Sequence, residues 1–399
     1  MSVVTDEFVQ LSENQKLVRN SIQDICDNFD HEYWRERSAA GEYPTEFVDT
    51  LSEQGWMGAL IPEEYGGAGM ATTETVVMME EIAASGGGFS AAQAIHGGIY
   101  NSVPLVKYGS EEQKERLLPD IAAGDTSIQA FCLTEPNSGS DSTSIETRAE
   151  REGGEWVISG QKIWTSRLDV SDYAIVVART TPKEEVEKKT QGISMFLVNV
   201  ADAVEQGGLE YDQIDKTASD FVHSYSVYFD DLRIPGENIL GEKGDGFYQV
   251  LDGLNEERLV IAAECLGLGR LAIDRGVQYA NEREVFDRPI GKNQAVQHPL
   301  ADVYARLQSA KQMTYNAAEQ GEDATDLGAL ANMSKYLASD AAFEAADAAV
   351  QTHGGFGIAR EYDVERYFRE ARLTRLVPIT QQLVLNYVSE KVLGLPRSY

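Results

Sequence analysis

Apolar positions recur at steps of three and four through residues 246–273, GFYQVLDGLNEERLVIAAECLGLGRLAI. The spacing predicts a long helix with Val250, Leu254, Ile261, Cys265 and Leu268 on one face. Glu257 interrupts that stripe. A carboxylate deprived of solvent there would gain basicity and suit a general base; a helix edge with Glu257 paired to a basic neighbour accounts for it equally well. Helical spacing also runs through 12–29, around 44–54 and through 73–84. Between the last two, IPEEYGGAGM at 61–70 has the paired glycines and proline of a tight loop. Ser110 is a candidate cap for a helix over 111–123, ahead of an acidic first turn. The small residues of AASGGGFSAAQAIHGG, 83–98, permit close backbone approach, either to a narrow ligand or between packed helices.

The texture changes after about residue 126. Segment 128–133 has extended character, and 154–158 reads as a turn entering a strand. Runs rich in branched and aromatic residues at 173–179, 193–198 and 223–229 predict further strands, with 181–190 a charged, exposed insertion. Helical patterning returns at 295–320, 328–351 and 363–388. The expected architecture is an N-terminal α-helical domain (1–126), a middle β-barrel-like domain (127–240) and a C-terminal domain built on a four-helix bundle (241–399).

Composition narrows the function. The 399 residues include 34 Lys and Arg against 65 Asp and Glu, for a net charge of −31. That balance argues against a nucleic-acid binder, which needs a basic face. It also suits a saline cytoplasm, because salt screens a self-repelling acidic shell. Cys26, Cys132 and Cys265 are far apart and form no CxxC pair, so they read as small buried apolar residues. The five histidines show no zinc spacing, and no metal site is expected. With no signal-peptide pattern and no membrane-length apolar run, the expected location is cytoplasmic.

The candidate chemistry sits in four short blocks. Residues 134–141, TEPNSGSD, offer hydroxyl and backbone donors to a polar ligand edge, or form a capped surface turn. Residues 160–166, GQKIWTS, put the broad ring of Trp164 on a β segment, where core packing is the plainer role. In REVF, 283–286, Arg283 and Phe286 are three apart and could share a helical face, with an exposed ion-pairing Arg beside a packed Phe. The glycines of QTHGGFG, 351–357, suit backbone approach to a phosphate or the end of a helix.

Together, in this order and at these distances, the four blocks resemble the acyl-CoA dehydrogenase family over essentially the whole chain. The resemblance implies bound FAD, an acyl-CoA substrate, electron transfer to an electron-transfer flavoprotein, and a homotetramer of paired dimers. It assigns Leu133, Thr134, Trp164 and Ser166 to the flavin and Ser140 to the acyl-CoA path. Arg283, Phe286, Gln294, Gln351, Gly354 and Gly355 would complete the FAD site of a partner subunit, and Thr380 and Gln382 keep a further FAD-contact pattern. Asp287 stands where relatives have Gly, Arg167 where many have Asn, and Pro378 where most carry the catalytic Glu. A branch similar to isovaleryl-CoA and long-chain acyl-CoA dehydrogenases instead draws its base from the long helix, in a context that Glu257-Arg258-Leu259-Val260 matches. The resemblance therefore implies Glu257 as base, with Arg258 beside the substrate. An acyl-CoA oxidase, distinguished by rapid reaction with oxygen, and a catalytically weak acyl-CoA-binding protein are the alternatives.

Overall fold

The computed structural model describes residues 8–321 and 324–398. Its first part is helical: α1 (Glu13–Cys26), α2 (His31–Ala40), α3 (Thr45–Glu53), α4 (Thr72–Ala83), α5 (Gly88–Tyr100), α6 (Ser102–Tyr108) and α7 (Glu111–Ala123). Reciprocal caps start α1 and α7. Ser12 Oγ accepts from the Gln15 N–H while Gln15 Oε1 accepts from the Ser12 N–H, and Ser110 with Gln113 repeats the arrangement. Helix α2 escapes the periodicity because it buries only Trp34. The glycine-rich stretch before and within α5 serves packing: a Cβ on Gly97 would come within 2.3 Å of the Gln129 carbonyl oxygen, and one on Gly87 within 2.7 Å of the Trp34 ring.

The middle part is one sheet made from β1 (Ala130–Cys132), β2 (Arg148–Glu152), β3 (Glu155–Ser166), β4 (Tyr173–Arg179), β5 (Ile193–Asn199), β6 (Leu209–Gln213), β7 (Ser224–Pro235) and β8 (Ile239–Leu240), with a short α8 (Val200–Glu205) after β5. Its order is β6-β7-β3-β2-β4-β5-β8, and β1 pairs parallel with β4. Strands β2 and β6 are missing from the sequence expectation because each buries a single side chain, Ala149 and Leu209, and so shows no alternation.

The expected continuous helix over 246–273 is in fact two, α9 (Gly246–Asp252) and α10 (Leu254–Glu282), parted at Gly253. Next come the hairpin strands β9 (Glu284–Val285) and β10 (Arg288–Pro289), then α11 (Gln294–Gln320) and α12 (Leu327–His353). The run 363–388 likewise divides into α13 (Val364–Thr374) and α14 (Gln381–Tyr387), because Pro378 in the connection has no N–H with which to continue a helix. Helices α10 and α12 run parallel. A Cβ on Gly269 would lie 3.3 Å from the Ala342 Cα, and seven residues on Gly276 meets Ala349 in the same way. The buried alanines of α12 allow that approach.

Buried charges tie the domains together. Glu80 of α4 accepts from Lys311 Nζ and Tyr315 Oη of α11, both at 2.7 Å, and Glu81 pairs with Arg270 of α10 at 2.6 Å. In the sheet, fully buried Lys162 reaches the Leu133 carbonyl at 2.9 Å and Glu135 Oε1 at 2.8 Å. The Glu135 carboxylate also accepts from the N–H groups of Glu146 and Thr147. Burial opposes its charge, but Lys162 and these donors outweigh that and hold its carboxyl below the usual range. The loop after β1 is thereby pinned to β3. Replacing Lys162 with Met leaves a buried carboxylate without its cation, so Lys162→Met should cost about 3–5 kcal/mol. The double variant Lys162→Met/Glu135→Gln should recover part of that loss in thermal melts.

Candidate active site

Glu257 lies in the first turn of α10, at the end of the helix nearest the sheet domain. Its setting is not the bare apolar stripe expected from sequence. The side chain is 26% exposed, and its Oε1 stands 3.5 Å from His96 Nε2. On its other side His96 meets fully buried Glu264, Nδ1 to Oε1 at 2.7 Å. Gln93 Nε2 donates to the second Glu264 oxygen at 2.7 Å, and the Gln93 carbonyl accepts from Arg167 Nη1 at 2.7 Å. His96, Glu264 and Gln93 escaped the sequence reading; the available signal was the seven-residue spacing of Glu257 and Glu264, which puts both on one helical face. Arg258 donates to Asn255 Oδ1 at 2.9 Å, and neighbouring Glu256 has one carboxylate oxygen buried without a partner.

Arg167 brings the end of β3 to this place. Between Lys162 and Thr165 the register of β3 against β7 shifts, and Trp164 takes a φ of 63°. That bulge turns the indole outward, 55% exposed, against the core-packing alternative. Ser166 Oγ lies 3.0 Å from Ser224 Oγ. Across from the bulge, the Ile163 N–H donates to the Thr134 carbonyl at 2.8 Å, so Leu133 and Thr134 are fixed beside Trp164. Ser140 is exposed in the same loop. On α12, Lys335 donates to the Ile379 carbonyl at 2.9 Å. Burial, and also the nearby Arg258 charge, push the Lys335 ammonium down to about 8. The connection bearing Pro378 therefore borders the start of α10; Thr380 next to it caps α14, and Gln382 is exposed.

The remaining expected residues are elsewhere. Arg283 ends α10, and Phe286 is at the tip of the β9–β10 hairpin with a φ of 54° and 91% exposure. The two share no helical face; the turn residues Phe286 and Asp287 both take positive φ instead. Arg283, Val285, Thr352, Gly354, Gly355 and Phe356 line a cleft of about 440 Å³. Gln351 lies in the last turn of α12 and Gln294 begins α11, both exposed. A Cβ on Gly354 or Gly355 would meet nothing within 4 Å, so the main chain of this turn is open to a ligand. Twenty-six residues of helix, about 40 Å, separate Glu257 from Arg283. One site thus offers an exposed indole, and the other an open glycine turn beside a cation, a setting that suits a phosphate.

Among the described residues, no group of His, Cys, Asp or Glu is placed to hold a metal, and no helix is long and apolar enough to cross a membrane. The three cysteines are free and buried.

Three family models match in succession: acyl-CoA dehydrogenase N-terminal domain over residues 12–125, middle domain over 130–232 and C-terminal domain over 244–393. The acyl-CoA dehydrogenase FadE12 of Mycobacterium tuberculosis is 36% identical over 401 residues, covering 99% of this chain and 100% of its own length. A 3-(aryl)acrylate reductase of Clostridium sporogenes is 32% identical over 380 residues, covering 94% and 98%. The solved structure of butyryl-CoA dehydrogenase from Megasphaera elsdenii aligns with a TM-score of 0.89 at 28% identity, covering 98% of this chain and 100% of that one. Matched in all three domains and along nearly its full length, the chain belongs to the acyl-CoA dehydrogenase family and is an FAD-dependent enzyme of that family.

Proposed function

We propose that this acyl-CoA dehydrogenase takes its base from α10, as Glu257, and converts an acyl-CoA to the trans-2-enoyl-CoA. One observation carries the reading: a carboxylate stands at the opening of α10, while the connection that borders it has Pro378, which can abstract no proton. Glu257 removes the pro-R α proton. FAD, when bound, supplies the acceptor for the β hydride. Trp164 and Ser166, with Leu133 and Thr134, would hold its flavin end, and Ser140 and Arg258 would flank the acyl-CoA. The ordered loop and helix hold the substrate carbons in register and keep water from the proton being moved. Pro378 offers no N–H, so the thioester oxygen gains no main-chain donor from that residue.

Thr380 and Gln382 extend the proposed flavin site on the same chain, whereas Arg283, Phe286, Gln294, Gln351, Gly354 and Gly355 would serve the FAD of a partner subunit. The span of about 40 Å along α10 supports that division, because one copy holds its two half-sites too far apart to share a cofactor. The family resemblance extends this reading to a homotetramer of paired dimers, each chain divided into domains near residues 126 and 240. The electrons would leave to an electron-transfer flavoprotein, and the acidic surface fits a saline cytoplasm.

Anaerobic stopped-flow reduction with butanoyl-, isovaleryl- and 3-phenylpropanoyl-CoA tests the base. Glu257→Gln should bind substrate and reduce flavin about two to four orders of magnitude more slowly. Glu256→Gln, about 100° around the helix, should retain most of the rate; the reverse pattern would move the base to Glu256. For the shared site, Arg283→Ala should lose FAD on gel filtration while keeping its helical circular dichroism. A wild-type monomer fully loaded with flavin would refute the shared arrangement. Molar salt should raise the melting temperature by several degrees through screening of the acidic surface, and equal melting points at low and molar salt would count against a saline setting.

A further inference from the structure

Glu257 and Glu264 are about 10 Å apart along the α10 axis, nearly two full turns, and both face α5. His96 of α5 stands between them, its ring stacked on Tyr100 with centroids 5.1 Å apart and planes 22° from parallel. Its two nitrogens are thus directed at two carboxylates, Nδ1 at Glu264 and Nε2 at Glu257. Glu264 is completely buried, and its other oxygen is satisfied by Gln93. Such a carboxylate keeps its charge only beside a cation.

We propose that His96 is a positioning residue for the base: locked to Glu264 as an imidazolium, it directs its Nε2–H at Glu257 and holds that carboxylate aimed into the acyl site. This rests on Glu257 being the base. The 3.5 Å separation is longer than a full hydrogen bond, and catalytic contacts of this kind commonly tighten only when substrate closes the site. Burial works to strip the His96 proton, but the Glu264 charge and then the Glu257 contacts outweigh it and raise the imidazole to about 9. The other groups around it agree with a cation. Tyr100 is driven well up by burial and by Glu257, Glu264 and Glu256, so its phenol stays neutral. Arg167 lies behind Gln93, where burial lowers it without removing the pull of Glu264 and Glu257.

The sign of the pH effect follows. Below pH 9 the Nε2–H points at Glu257. Above it the proton held by Glu264 stays on Nδ1, Nε2 becomes a lone pair facing a carboxylate, and the positioning force turns to repulsion. Because the folded value is raised from the ordinary 6.5 to about 9, the contribution to stability is complete below 6.5 and disappears as pH rises through 9.

The test uses the FAD-loaded enzyme, with flavin reduction by the same three acyl-CoAs and chemical unfolding followed from pH 6 to 10.5. Wild type should lose reduction rate through one ionisation near pH 9 and lose stability between pH 6.5 and 9. His96→Gln, which keeps an N–H donor without the charge, should lack both alkaline changes. Its limiting rate should fall about 10–100-fold while KM moves less than about threefold. Glu264→Gln should shift the alkaline limb down by about one pH unit or more, a readout that remains should His96→Gln fail to fold. A flat wild-type profile between pH 8 and 10.5 would overturn the proposal, as would an alkaline limb that persists in His96→Gln at an unchanged limiting rate. Either result alongside an inactive Glu257→Gln sinks the role of His96 and spares the base; an active Glu257→Gln removes the base itself.

Discussion

The rigid span of α10 governs how this protein can work. Twenty-nine residues of helix hold Glu257 and Arg283 at opposite ends, and α12 runs parallel beside it with Lys335 near one end and Gly354 just past the other. Helices packed through glycine and alanine, with backbones this close, do not shorten or slide without steric clash. On the proposed reading each copy carries two half-sites at a fixed separation. On that reading a second copy, rather than a conformational change, would bring a Trp164 surface and a glycine turn together around one cofactor.

Buried charge supplies the second constraint. Carboxylates inside this molecule meet cations: Glu80 with Lys311, Glu81 with Arg270, Glu135 with Lys162, Glu370 with Arg366. The first three join elements distant in sequence or fix a loop, the fourth lies within α13, and each would be costly to break from one side. Glu264 follows the same rule with a histidine, and there the carboxylate itself generates the cation that it needs. Arginine and lysine would hold their charge across the whole working range, whereas an imidazolium made this way carries a pH limit with it.

Much of the framework was legible in the amino-acid order because single elements report themselves. The capping Ser110, the 111–123 helix and the branched run at 173–179 each carry their own local signal, and the structure places them as expected. What escaped depends on partners distant in sequence. Strand β2, RAERE, is a strand because β3 and β4 flank it, not because its residues favour one. A spacing of three allows Arg283 and Phe286 one helical face, yet a helix ending at Glu282 turns the same spacing into a hairpin tip. At the candidate site the sequence singled out Glu257 by its misfit among apolar residues. It could not supply His96, which sits 161 positions earlier and acquires its meaning only when α5 packs on α10.

Placing a base on α10 also changes what has to be rigid. A carboxylate on the 375–380 connection would depend on a short link between α13 and α14, held by Lys335 at Ile379. A carboxylate in the first turn of a 29-residue helix inherits the stiffness of the bundle, and its only freedom is rotation of its own side chain. Rotation is what a neighbour at Nε2 can restrain, and α5 can provide that neighbour because Gly97, beside His96, has no side chain to collide with the Gln129 carbonyl and Arg167. The small-residue stretch before the sheet and the carboxylate on the central helix, read separately in the sequence, are thus parts of one arrangement: close packing of α5 is what allows His96 to stand beside Glu257, the proposed base.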